Sequence, residues 1–93
     1  MMKVLFLDTV HPILAERLTN AGMLCVDGTD LSTSESVRVH CDAEGIVLRS
    51  RIRVDADLLD RLPQLRFICR SGAGLENIDI ASAHSRGIEV FNS

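Results

Sequence analysis

Aromatic side chains are nearly missing from this 93-residue chain, which has no Trp, no Tyr and only three Phe. Any core must therefore be aliphatic, built from Leu, Ile, Val and Ala. Lys3 is the only lysine, and the formal net charge is −3. That balance excludes a domain built to bind nucleic acid or a membrane surface. No apolar run reaches membrane-spanning length, and Met1-Met2-Lys3 leads straight into a strand pattern with no signal-peptide core. Cysteine is sparse: Cys25, Cys41 and Cys69 have no metal-ligand spacing, and Cys25 and Cys69 sit in apolar runs as small core residues. The expected setting is the reducing cytoplasm.

What is present is a globular composition, with 46% apolar and 25% charged residues, in a length that makes one small domain. Apolar runs alternate with helical patterns. Val4–Leu7 is an unbroken apolar run ended by Asp8-Thr9, as suits a strand buried on both faces of a parallel sheet. Pro12 opens a helix that runs to Ala21 and stops at Gly22. Met23–Val26 is the second strand, and a weak helix is expected over Ser34–Cys41, with Ser32 among several possible caps. Gly45–Leu48 is the third strand. Val54–Leu62 reads as a helix capped by Asp55 and ended by Pro63. Leu65–Cys69 is the fourth strand, Ile80–Ser85 a short helix capped by Asp79, and Ile88–Phe91 the fifth strand. Strands alternating with helices imply an α/β fold with right-handed crossovers. The expected topology is flavodoxin-like, a five-stranded parallel sheet in the order 2-1-3-4-5. No helix follows the fifth strand, so one face or edge of the sheet is expected to lack its cover.

The chemistry concentrates in Gly45–Gly74. Residues 49–70 hold six Arg (49, 51, 53, 61, 66, 70) against three Asp (55, 57, 60), while the rest of the chain is acidic. A local arginine excess in an acidic protein suits a small anion better than a polyanion; a solvated helix face with loop charges would give the same composition. Strand three breaks into Arg49-Ser50, and strand four into Ser71-Gly72-Ala73-Gly74. Both loops would leave the sheet edge where α/β proteins bind ligands. Guanidinium, hydroxyl and glycine-freed N–H groups together can hold a carboxylate. A tight turn that needs glycine only for its backbone would carry the same residues.

Other chemistries fit poorly. A dinucleotide fingerprint would need a third glycine at position 77, which is Asn77. A phosphoacceptor receiver would need an Asp where Arg49 stands and a Lys after the fifth strand. His11, in the loop after strand one, reads more simply as a surface residue beside Pro12 than as part of a site. No nucleophile–base spacing stands out among the three histidines.

Three strings carry a resemblance: Gly-Ile-Val-Leu-Arg-Ser at 45–50, Leu-Pro-Gln-Leu-Arg-Phe-Ile-Cys-Arg-Ser-Gly-Ala-Gly-Leu-Glu-Asn-Ile-Asp at 62–79, and Arg-Gly-Ile-Glu-Val-Phe-Asn-Ser at 86–93. In order and spacing they resemble the N-terminal part of the D-isomer-specific 2-hydroxyacid dehydrogenases, nearest the D-3-phosphoglycerate dehydrogenase branch. Before Gly45 only the layout and the opening Lys-Val-Leu-Phe-Leu-Asp agree.

The resemblance implies a two-domain parent enzyme that passes hydride between a small anionic 2-hydroxy or 2-oxo acid and NAD. Residues 1–93 would be the N-terminal part of its substrate-binding domain, with Ser93 at or near the first crossing into a Rossmann domain. It implies that Arg49 and Ser50 contact the acid, and that Ser71, Gly72, Ala73 and Gly74 offer N–H groups to its carboxylate. It places the catalytic Arg, Glu and His, the NAD site and the usual homodimer contact outside these residues, so NAD is not expected to bind here. The alternative from another class is a stand-alone flavodoxin-like module that binds a small organic acid without catalysis.

Overall fold

The computed structural model describes residues 1–92; the crossing expected at Ser93 lies outside them. The chain forms β1 (Lys3–Phe6), α1 (Pro12–Asn20), β2 (Leu24–Asp27), α2 (Thr33–Val39), β3 (Gly45–Leu48), α3 (Ala56–Asp60), β4 (Phe67–Arg70), α4 (Ile80–Ser85) and β5 (Glu89–Asn92). The strands make one sheet in the order β2-β1-β3-β4-β5, and every pairing is parallel. The flavodoxin-like expectation holds.

The unbroken apolar runs explain the layering. Side chains alternate across a strand, so β1 sends Leu5 to one face and Val4 and Phe6 to the other. Leu5, Ile46, Leu48 and Ile68 pack with Val37 of α2, Leu58 and Leu59 of α3 and Ala83 of α4. Val4, Phe6 and Val47 pack with Leu14, Ala15 and Leu18 of α1. One helix therefore serves a face that three serve on the other side. Phe91 of β5 shares the α1 face, packs edge-on against Phe67 at 6.5 Å between ring centroids, and stays 50% exposed. Phe91 is thus an exposed apolar side chain on the face that α1 alone covers.

Local boundaries differ from the expectation for identifiable reasons. Strand four starts at Phe67 rather than Leu65, because the Leu65 N–H donates to Leu62 O and closes the turn after α3. Strand five starts at Glu89 because the Ile88 N–H donates to Ala83 O and belongs to the end of α4. Helix α3 is shorter than Val54–Leu62: Val54 N–H donates to Asn77 O and Val54 O accepts from the Asp79 N–H, a one-residue parallel bridge to Ile78. The expected caps are in place. Ser32 accepts from the Glu35 N–H, Asp55 from Leu58 and Asp79 from Ser82. His11 is also a cap, its Nδ1 accepting from the Ile13 N–H at 3.1 Å. That binds the imidazole into the start of α1.

Candidate functional site

Because all strands run parallel, the loops after β1, β3 and β4 leave the same edge of the sheet. β1 has β2 on one side and β3 on the other, so the chain reverses its winding between β1 and β3. In open α/β sheets such a switch point opens a crevice at the strand ends. Here it is a cleft of about 390 Å³ lined by Asp8, Thr9, Arg49, Ser50 and Arg51. A second cavity of about 260 Å³ opens between the ends of β1 and β2; it is mostly apolar and has no arginine in its lining.

Asp8 organises the cleft. Its buried carboxylate accepts the Arg49 backbone N–H at 2.8 Å and the Arg51 Nε at 2.9 Å. The Arg51 Nη2 lies 2.7 Å from the same carboxylate and also reaches Leu7 O at 3.3 Å. A buried carboxylate needs such partners to offset its desolvation. Arg51 is thus committed to Asp8. The Arg49 guanidinium is exposed and, among the described residues, has no acceptor. The cleft is left with one uncompensated positive charge, which is what a small carboxylate would meet.

The glycine loop lies beside this cleft rather than in its lining. Gly72 and Gly74 have φ of +123° and +87°, conformations that a side chain resists. The space is also taken. A Cβ on Gly72 would press on the Arg70 guanidinium, and one on Gly74 on the Glu76 carboxylate. The N–H groups of Gly72, Ala73 and Gly74 have no backbone acceptor among the described residues. Ser71 departs from the expectation. Its N–H, expected to point at a carboxylate, donates to Leu48 O at 2.9 Å and extends the β3–β4 pairing by one step. Its hydroxyl is the polar group left to offer.

Two side chains join the loops. Arg70 shares the face of Ile68 and is buried; its Nη1 donates to Ala73 O at 2.5 Å and its Nε to Asn77 Oδ1 at 3.3 Å. The Asn77 Nδ2 donates to Arg49 O at 3.0 Å and to Ile52 O at 2.8 Å. Asn77 thus ties the arginine loop to Arg70, and through Arg70 to the glycine loop.

The glycine loop lacks the layout of a dinucleotide fingerprint. It is followed by an irregular stretch, and α4 starts only at Ile80, so no helix begins directly after the loop to receive a pyrophosphate. Among the described residues no cluster of three or more His, Cys, Asp or Glu side chains could hold a metal ion. No helix among them is long and apolar enough to cross a membrane.

The family profile described as "D-isomer specific 2-hydroxyacid dehydrogenase, catalytic domain" matches residues 4–93. The chain belongs to this family. Among curated relatives of this chain, D-3-phosphoglycerate dehydrogenase of Sus scrofa is 33% identical over 91 residues, covering 98% of the chain and 17% of the relative. The enzyme of that name from Archaeoglobus fulgidus is 35% identical over 92 residues, 99% of the chain and 18% of the relative. The chain thus spans about a sixth of the length of these two relatives. Among solved structures, an NAD+-bound 3-phosphoglycerate dehydrogenase from Entamoeba histolytica superposes with a TM-score of 0.80 at 26% identity, covering 98% of the chain and 32% of that structure.

Sequence reasoning singled out Arg49, Ser50 and the glycine loop but passed over Asp8, Asn77 and Arg70 as the residues that hold them. The signal that places Asp8 is strand register, which the folded sheet sets. β1 and β3 pair with Phe6 opposite Val47, an offset of 41, and the same offset sets Asp8 opposite Arg49.

Proposed function

We propose that this chain is the acid-binding part of the substrate domain of an NAD-dependent D-2-hydroxyacid dehydrogenase, with a phosphoglycerate dehydrogenase-like substrate. The observation that carries the reading is the unpartnered Arg49 guanidinium at the β1–β3 switch point, fixed by its backbone to Asp8. Arg49 binds the carboxylate of a small 2-hydroxy or 2-oxo acid, and Ser50 donates from the same strand end. Gly72, Ala73 and Gly74 add N–H donors from the adjoining loop, and Ser71 its hydroxyl. Glu76 stands against Gly74, so the anion sits towards Gly72 and Ala73. The cofactor site, the remaining reacting groups and the dimer contact belong to other parts of a longer cytoplasmic protein.

The test is a titration of the isotopically labelled 93-residue chain with oxalate, a compact mimic of the acid, and with 3-phosphoglycerate. The Arg49 Nε–H resonance and the Gly72–Gly74 amides are expected to move together with one dissociation constant. Arg49→Gln weakens binding roughly ten- to hundredfold, the loss of a charge-assisted bond. A titration that moves neither Arg49 nor the glycine amides would remove the site.

A further inference from the structure

We infer that Asn77 is a positioning residue for this acid site: it holds the arginine loop in register with the glycine loop, so that Arg49 and the Gly72–Ala73 N–H groups meet one anion. The inference rests on the acid-binding reading of the site above.

The geometry assigns Asn77 three bonds that no neighbour duplicates. Its Nδ2 donates to the carbonyls of Arg49 at 3.0 Å and Ile52 at 2.8 Å, and its Oδ1 accepts from Arg70 Nε at 3.3 Å. Arg70 in turn holds Ala73 O at 2.5 Å, between the two positive-φ glycines. The Asn77 backbone adds a fourth tie, its carbonyl accepting from the Val54 N–H at 2.8 Å. Residues 49–53 contain no helix or strand of their own; the Arg51–Asp8 pair and the buried side chain of Ile52 anchor the middle of the segment, but neither reaches the Arg49 carbonyl. On one side Asp8 secures the Arg49 N–H. On the other, among the described residues, only Asn77 secures its carbonyl. A primary amide is the side chain that can do this, since it donates two N–H groups to carbonyls while accepting from a guanidinium. The same Asn77 stands where a dinucleotide loop would have glycine. The residue that rules out one ligand chemistry serves the other.

Arg70 gives the arrangement a second consequence. It is buried, and among the described residues it has no carboxylate within ion-pair distance. Its partners are a carbonyl and an amide oxygen. Its positive charge therefore meets no direct ion pair beneath the glycine loop and adds to the field that Arg49 presents to an anion, opposed by the Glu76 carboxylate beside Gly74.

The experiment compares Asn77→Ala and Asn77→Asp with the unaltered chain in the oxalate titration. Asp keeps the size of Asn and the bond to Arg70, whose charge it neutralises locally, but cannot donate to Arg49 O or Ile52 O. Both variants are expected to bind oxalate roughly three- to tenfold more weakly. The diagnostic signature is uncoupling: in the variants the Arg49 Nε–H and glycine amide resonances no longer report the same dissociation constant. Core amides of Ile46 and Ile68 at their unaltered positions show that the fold is intact, and Asn77→Asp supplies the result if Asn77→Ala does not fold. Equal affinity with both loops still responding together, in a folded variant, overturns the role of Asn77 and leaves the acid site standing. Loss of the oxalate response in the unaltered chain overturns the acid site itself.

Discussion

The Asp8 carboxylate accepts the backbone N–H of Arg49 at 2.8 Å across the gap between the ends of β1 and β3. The bond does two things. It compensates a buried charge, and it turns the Arg49 side chain outward with its own charge unspent. Arg51, two residues on, is spent on the same carboxylate. Asp8→Ala leaves the Arg49 N–H without its acceptor and releases Arg51. The expected loss is about 1–3 kcal/mol of stability, read as a lower urea midpoint at unchanged slope. Most of it comes from the N–H bond, since the Arg51 side chain is 64% exposed and its ion pair is screened. A midpoint unchanged in Asp8→Ala would mean that the loop holds itself.

Arg49→Gln separates stability from binding. The guanidinium makes no bond among the described residues, so its removal is expected to shift the urea midpoint by less than about 0.5 kcal/mol, as for an ordinary surface substitution. On the proposed reading, the same change in a dehydrogenase that carries this chain raises KM roughly ten- to hundredfold. Steady-state kinetics with an unchanged KM would take Arg49 out of the site.

Gly45 faces a different constraint. Phe67 pairs with it across β3–β4, and the Phe67 ring lies where a Gly45 side chain would be. Gly45→Ala forces the ring away from its packing and is expected to cost about 1–3 kcal/mol. Adding Phe67→Leu recovers most of that, because the smaller side chain vacates the space. Additive losses in the double-mutant cycle would place the strain elsewhere.

Acid is expected to weaken the fold through its caps and ion pairs. Asp79 is held below the usual carboxylate value of 3.8 by the N–H and hydroxyl of Ser82, and Asp27 by the hydroxyl and N–H of Thr29. Glu35 is held below 4.5 by Arg38, and Asp42 below 3.8 by Lys3. A carboxylate whose folded value is depressed stabilises the fold above its unfolded value and loses that contribution as pH falls through the folded value. Stability should thus be level above the ordinary carboxylate range and decline below it. Asp79→Asn should make the decline shallower. A urea midpoint as high at pH 2.5 as at pH 6 would contradict this.

Thiol reactivity should follow exposure. Cys41 is exposed, whereas burial pushes the Cys69 thiol above its usual 9.0. Limited treatment with a maleimide near neutral pH should label Cys41 first, as located by peptide mass spectrometry. Cys69 reacting first would show that the α1 side of β4 opens more readily than its packing suggests.

Much of the architecture was legible in the residues alone. Short unbroken apolar runs such as Gly45–Leu48 suit strands buried on both faces, and the helical patterns between them favour parallel pairing. That determined the fold class and the edge on which Arg49 and Gly72 would emerge, while the order 2-1-3-4-5 was the expected topology that the sheet then bore out. Asp55 and Asp79 announced their helices because a cap acts on backbone three residues away, within reach of local pattern. What the tertiary structure decided was the commitment of charged and polar side chains. Arg49, Arg51 and Arg70 look alike in sequence; one is left open, one is taken by Asp8 and one is folded under the glycine loop. Ser71 looked like a donor to a ligand, yet its N–H belongs to the sheet. Asn77 looked like a missing glycine, yet it ties residues 25 and 28 positions away. Hydrogen bonds of that range depend on strand register and on how loops cross at the sheet edge, and only the folded chain sets both.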